Sequence, residues 1–262
     1  VRMDQHFRII NSHSNSPLLL ICDHASNYIP AKYKDLGLTS NQLQEHIAWD
    51  IGAAEITLQI SKMLDSVAIL CGISRLIIDT NRDPSDPNAT PEISDNISIT
   101  GNKNLTKINR ENRLKNYFWP YHNAIRKQID YLKGKLNPLN KTPIIFSIHT
   151  FTQIMRSVGG VRRLWDVGVL WDRDPRVAGI LIRELTNHKD NLIVGDNKPY
   201  SGKEFYYTLD YHAGSRGLPH CAIEIRQDLV DTPEQTIYWA TLISKILNNI
   251  INNSEIHKIQ QY

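Results

Sequence analysis

The chain has 262 residues, 41% hydrophobic and 22% charged, figures ordinary for a globular protein that exclude wholesale disorder. Thirty Lys and Arg against 27 Asp and Glu leave a net charge of +3, too small and too interspersed to indicate a nucleic-acid partner. The longest apolar runs are of strand length, short of the roughly 20 residues that span a bilayer, so no membrane partner is expected.

The N-terminal stretch VRMDQHFRIINSHSNS is polar and has no signal-peptide core. Strands are expected at 17–22, 67–71, 75–79, 143–148, 167–171, 192–195 and 221–226, each rich in Ile, Val or Leu and mostly bounded by Gly, Pro, Asp or Asn. Several are apolar on both faces, as in a sheet covered by helices on either side. A helix is expected from Thr39, where Thr39-x-x-Gln42 has the form of a capping box, to Leu64, with Leu43, Ile47, Ile51, Ala54 and Leu58 as its buried stripe. Further helices are expected at 112–136, 175–187 and 233–253. The alternation of strand and helix predicts an α/β domain with a mixed or parallel sheet. No linker divides residues 1–262, so one domain is expected, with a polar, Asn-rich lid or insertion around 84–110. Cys22, Cys71 and Cys221 are isolated in apolar runs and read as reduced core thiols of a cytoplasmic protein.

Candidate chemistry clusters where these strands end. Asp23 and His24 follow the first strand and His149 lies at the end of a later one, the position where open α/β sheets bind ligands. Two histidines with a carboxylate nearby are the donor set of a three-ligand zinc site that leaves a fourth position open. His46 and Asp50, at i and i+4 of the expected helix, either offer that carboxylate or merely hydrogen-bond each other. Arg75 and Asp79 share one face of an expected strand, with Asn81 and Arg82 in the turn beyond, arranged for carboxylate capture or for local ion pairing. Glu224 is costly to bury without a partner: either Arg226, two residues on, neutralises it, or it faces the site as a general base. His212, Arg216 and His220 fall in a Gly-containing loop just upstream, where one of them could bind substrate. No GxGxxG, P-loop, GxSxG or HExxH is present, which leaves nucleotide binding and serine-hydrolase chemistry without support.

The segments CDHASNYIP, HIAWDIGA, SRLIIDTNR, SIHTF, VGVLW, NKPYSG, YHAGSRGLPH and IEIRQDL, in this order over roughly residues 17–230, resemble the N-formylglutamate amidohydrolase family. The resemblance implies a three-layer sandwich similar to zinc carboxypeptidases and aspartoacylases, with a central mixed, mostly parallel sheet. It implies hydrolysis of an N-acyl amino acid, N-formyl-L-glutamate to formate and L-glutamate, as in histidine degradation. It further implies one Zn2+, or another divalent ion, on His24, Asp50 and His149, with Glu224 as base and Arg75 stabilising charge. Asn81 and Arg82 would grip the substrate carboxylate, with His212 and Arg216 also against substrate. The carboxypeptidase pattern puts Glu three residues after the first histidine, whereas position 27 is Asn, so the acidic ligand is expected elsewhere, at Asp50. A zinc amidase or peptidase acting on another acylated amino acid or a peptidoglycan fragment would carry the same residues. So would a non-catalytic anion-binding protein of this fold. Oligomeric state is not legible.

Overall fold

A computed structural model describes residues 6–262; the first five, part of the polar N-terminal stretch, lie outside the described residues. The strands are β1 (Phe7–Ile10), β2 (Leu18–Cys22), β3 (Val67–Cys71), the small hairpin β4 (Ile93–Ser94) and β5 (Ile97–Ser98), β6 (Ile144–Phe151), β7 (Val167–Leu170), β8 (Val194–Asp196) and β9 (His220–Arg226). Seven of them form one sheet in the order β1-β3-β2-β6-β9-β7-β8. The four central strands β3, β2, β6 and β9 are parallel, and antiparallel pairing enters at β1–β3 and β9–β7. The mixed, mostly parallel sheet expected from the sequence is therefore present.

Helices cover both faces. The longer ones are α2 (Ala53–Met63), α4 (Trp119–Leu136), α5 (Arg176–Thr186) and α7 (Pro233–Ile251), and the shorter are α1 (Ser40–Leu43), α3 (Lys107–Arg113) and α6 (Tyr207–His212). Strand alternation sends Leu18, Leu20 and Cys22 into a core with Ile56, Ile60, Leu181, Leu185, Ile243 and Leu247, from α2, α5 and α7. It sends Leu19 and Ile21 into the opposite core with Tyr121, Ile125, Ile129 and Leu132 of α4 and Leu209 of α6. Burying each large aliphatic side chain is worth about 1.5–3 kcal/mol, and this two-sided burial makes the central strands a rigid platform.

Three local features differ from the sequence-based expectation. The helix expected over 39–64 is two helices. The capping box at Thr39 and Gln42 forms, but α1 stops at Leu43 and helix resumes only at Ala53. Between them the Ala48 carbonyl accepts from the Ser74 hydroxyl and the Arg75 amide, and Gly52 takes φ +83. His46 and Asp50 consequently do not share a helical face. Residues 75–79 form a turn rather than a strand. Leu76, Ile77 and Ile78 are all buried in one core, and side chains satisfy their backbone: Asn102 donates to the Leu76 carbonyl and Arg113 to that of Ile77. The third difference is β1, a half-exposed edge strand of four residues in a polar stretch, too short to register in the apolar pattern.

The helix expected from 112 to 136 carries a wider turn at Leu114–Phe118, where the Trp119 amide reaches the Leu114 carbonyl, five residues back. Pro120 cannot donate to residue 116, and the wider turn relieves the clash its ring would make in a regular helix.

Residues 84–110 are folded against the body rather than trailing from it. Buried Asn102 donates to the Leu76 and Pro91 carbonyls and accepts from Arg113. Asn102→Ala therefore strips several buried groups of partners, and a loss of about 1–3 kcal/mol is expected. Chemical denaturation checks this: the midpoint should fall with the slope unchanged.

Candidate metal centre and active site

The site lies where the parallel strands end, as the chain geometry of open α/β sheets requires. His24 sits two residues past β2, His149 and Glu224 face each other across the β6–β9 register, and Asp50 precedes α2. The Asp50 amide donates to the His24 carbonyl, which fixes that loop against the strand end.

Asp50 Oδ2 stands 3.3 Å from His24 Nδ1 and 2.8 Å from His149 Nδ1. One donor atom from each of the three lies within 4.8 Å of the others, and all three residues are buried. The remote imidazole nitrogens are also held. His24 Nε2 is 2.7 Å from Asp79 Oδ1, while His149 Nε2 is 3.0 Å from the Ser147 hydroxyl and 3.3 Å from Asp23 Oδ2. A carboxylate on the far nitrogen orients an imidazole and raises its basicity, the usual support for a metal-binding histidine. Two imidazoles and one carboxylate converging with their outer partners in place fit a divalent transition metal of the zinc class.

Charge runs through the whole centre. Burial and the Arg75 guanidinium oppose the imidazolium of His24, but Asp79 and Asp50 hold its pKa above the ordinary range. Burial likewise opposes the charged form of His149, and hydrogen bonds to Asp23 and Asp50 more than compensate. Burial favours the neutral form of Asp50, yet His24 and His149 hold its carboxyl well below the usual carboxylate range. Arg75 donates to both Asp50, at 3.4 Å, and Asp79, at 2.7 Å, with its side chain 28% exposed toward the cavity.

Glu224 differs from these. Burial pushes its carboxyl up to about 7, with the imidazolium of His149 opposing and Asp50 adding to the shift. Its Oε2 is buried with no hydrogen-bond partner. Arg226 does not neutralise it, because that guanidinium pairs with Asp166 at 3.0 Å and Asp228 at 2.7 Å.

These groups open on one cavity of about 360 Å³, a size suited to a small metabolite. Arg75, Asn81, Arg82, Tyr200 and Phe205 line it, and Pro91, Ile93, Ser94 and Asp95 from the Asn-rich segment form part of its wall. The Asn81 side-chain oxygen accepts from the Thr208 amide, and Arg82 lies over Phe205 at 5.1 Å while standing 3.6 Å from Asp79 and 3.7 Å from Asp86.

Two of the expected substrate contacts fall elsewhere. His212 is fully buried and stacks on His122, its Nε2 2.8 Å from His122 Nδ1, and Arg216 pairs with Asp130. Neither lines the cavity: His212, at the end of α6, and Arg216, in the turn just beyond it, both face α4. His46 is on the cavity wall but lies 3.1 Å from Asp95, outside the three-residue donor set. Sequence reasoning did not single out Asp23 and Asp79 as supports of the histidines, nor Tyr200. Burial raises the pKa of the Tyr200 hydroxyl, against the pull of Arg163, so it is a neutral donor.

A buried pair of histidines and a carboxylate, with a second, unpartnered carboxylate beside them on the same cavity, has the makings of a hydrolytic α/β centre. Within that class the assignment is specific: the N-formylglutamate amidohydrolase family model matches residues 16–230, and the chain belongs to that family. A gene product of Agrobacterium tumefaciens of known crystal structure is 29% identical with a TM-score of 0.85, the match covering 94% of this chain and 96% of that one. The N-formylglutamate amidohydrolase from Ralstonia eutropha JMP134 shares the fold at 17% identity and a TM-score of 0.66, again over 94% of this chain and 96% of that one. Among curated protein sequences none matches.

If Asp79 supports His24, Asp79→Asn should weaken zinc binding by roughly 10–100-fold. Competition against a chromophoric chelator measures this, and an unchanged affinity would remove Asp79 from the centre.

Proposed function

We propose that this chain is a zinc-dependent amidohydrolase that cleaves N-formyl-L-glutamate to formate and L-glutamate. The observation that carries the reading is Glu224: a buried carboxylate with a free oxygen, on the same cavity as the donor set of His24, Asp50 and His149. Family membership supports amide hydrolysis of this kind.

A zinc ion on those three residues would polarise a carbonyl and lower the pKa of a water from 15.7 to about 7. The protein groups do the rest. Glu224, with its carboxyl near 7, takes the proton from the attacking water as the oxygen adds to the formyl carbon. The C–N bond then breaks and Glu224 passes that proton to the departing amine nitrogen. Arg75, on the cavity wall, stabilises the negative charge that develops on the former carbonyl oxygen; its two carboxylate contacts fix its orientation before substrate arrives. Asn81 and Arg82 hold the substrate α-carboxylate, with Arg82 braced on Phe205. Three free, buried cysteines suit a cytoplasmic enzyme.

Glu224→Gln keeps the shape and removes the base, so bound zinc should stay near the wild-type stoichiometry while kcat falls by roughly 10²–10⁴-fold. Metal analysis and steady-state kinetics on N-formyl-L-glutamate test this together; undiminished turnover would falsify the mechanism. Arg82→Ala should raise KM for N-formyl-L-glutamate roughly 10–100-fold and hardly affect a neutral formamide, because only the former loses a charged contact. Equal effects on both substrates would show that Arg82 does not bind the carboxylate.

A further inference from the structure

Beyond Phe205, the ring under Arg82, the cavity wall continues in Tyr200 and is backed by an arginine that neither ion pairing nor the reaction above uses. Residues 152–163 leave the end of β6, turn back at Gly159 and Gly160, and return so that the Arg163 amide donates to the Gln153 carbonyl. An isolated bridge between Ile154 and Arg162 fixes the return. Arg163 is thereby laid over the rings of Tyr200, at 4.8 Å, and Phe151, at 5.6 Å. Its guanidinium donates to the Thr152 carbonyl at 3.3 Å, the Met155 sulfur at 3.3 Å and the Tyr200 hydroxyl at 2.9 Å. Phe151, Thr152, Met155 and Tyr200 all line the cavity.

Two features of this arrangement point to an anion. Among the described residues no carboxylate pairs with Arg163, and the acceptors it has are neutral and use only part of a guanidinium's five N–H donors. Tyr200 is on the cavity surface and accepts from Arg163, which leaves its own hydroxyl proton available to a ligand. A guanidinium pre-oriented by two aromatic faces loses little side-chain entropy when it binds a carboxylate.

We propose that Arg163 and Tyr200 form a second anion subsite that binds the side-chain carboxylate of the substrate and makes the enzyme selective for acylated acidic amino acids. This rests on the amidohydrolase reading above. The α-carboxylate goes to Asn81 and Arg82, and the side-chain carboxylate is received by the Tyr200 hydroxyl with the Arg163 charge directly behind it. An amino acid with a neutral side chain of the same length leaves that pair without a counter-charge, and discrimination follows from the unmet donors.

The test compares N-formyl-L-glutamate with N-formyl-L-glutamine, which has nearly the same shape without the second charge. Wild type should favour the former in kcat/KM by at least roughly tenfold, and Arg163→Met should reduce that ratio by about tenfold or more. Tyr200→Phe, which keeps the ring under Arg163, should reduce it by a smaller factor. Arg163→Lys should restore part of it. A ratio within twofold of wild type in Arg163→Met would overturn the subsite, and so would equal wild-type rates on the two substrates. Calorimetry with glutarate and butyrate separates this from failure of the hydrolytic reading, since it needs no turnover. Glutarate should bind wild type about tenfold or more tighter than butyrate, and Arg163→Met should erase the difference. A preference for glutarate that survives in the variant would overturn the proposal whether or not the enzyme is active.

Discussion

The centre depends on Asp50, whose Oδ2 atom is shared by two imidazoles arriving from different strands. Removing a carboxylate from water is costly unless it is paired and hydrogen-bonded. Here the chain meets that cost by interrupting a helix: residues 44–52 leave helical geometry so that Asp50 turns inward and its amide docks on the His24 carbonyl. Each imidazole must then satisfy its second nitrogen, and Asp79 and Asp23 do so. The cost of burying those two acids is met in turn by Arg75 for Asp79, and by Tyr121, Thr208 and Ser147 for Asp23. Each charged residue thus requires the next. Any single truncation leaves a buried group uncompensated, which is more damaging than the loss of the contact itself.

The sheet lets this chain of dependencies stay narrow in space. Because β2, β6 and β9 are parallel neighbours, β6 and β9 present His149 and Glu224 side by side, and His24 follows two residues beyond the end of β2. Loops bring the remainder, and each is fixed by a specific close approach. Gly168 of β7 is opposite Glu224 in the antiparallel register, and a Cβ there would meet the Lys198 carbonyl oxygen at 2.1 Å. The missing side chain lets residues 197–202 pack down on the sheet, with Asn197 Oδ1 accepting from the Trp171 and Gly202 amides, and so places Tyr200 on the cavity. On the other side, Asn102 and Arg113 take the place of a neighbouring strand for residues 76 and 77.

What could be read from sequence follows from this division. Residues placed by strands were legible, because a fully apolar run announces a buried strand and a polar residue beside or within it stands out: His24 and His149 by following such runs, Glu224 by interrupting one. Segments placed by tertiary hydrogen bonds were not. The three-to-four spacing of Leu43, Ile47, Ile51, Ala54 and Leu58 is equally served by two helices joined by a compact turn, and nothing local reveals that Ser74 claims the Ala48 carbonyl. The apolar Leu76–Ile78 run looked like a strand because burial, not pairing, is what periodicity reports. His212 and Arg216 share a Gly-containing loop with no signal that separates a substrate contact from packing against α4. Arg163 and Tyr200 are 37 residues apart and meet only in the fold. The likeness to a known family supplied Asp50, which spacing alone left tied to His46.

The charges of the centre also bear on how it would accept a metal. The carboxyl groups of Asp23, Asp50 and Asp79 have their pKa values held down, and the imidazoles of His24 and His149 have theirs held up by those same carboxylates. A divalent ion on the three donors would require both imidazoles to be neutral, so its binding would compete with protons and strengthen as pH rises. Asp79 and Asp23 already hold the outer nitrogens of the two imidazoles, and Glu224 lies beside His149 with its Oε2 unpartnered, so neither support is drawn from the group that the proposed reaction uses.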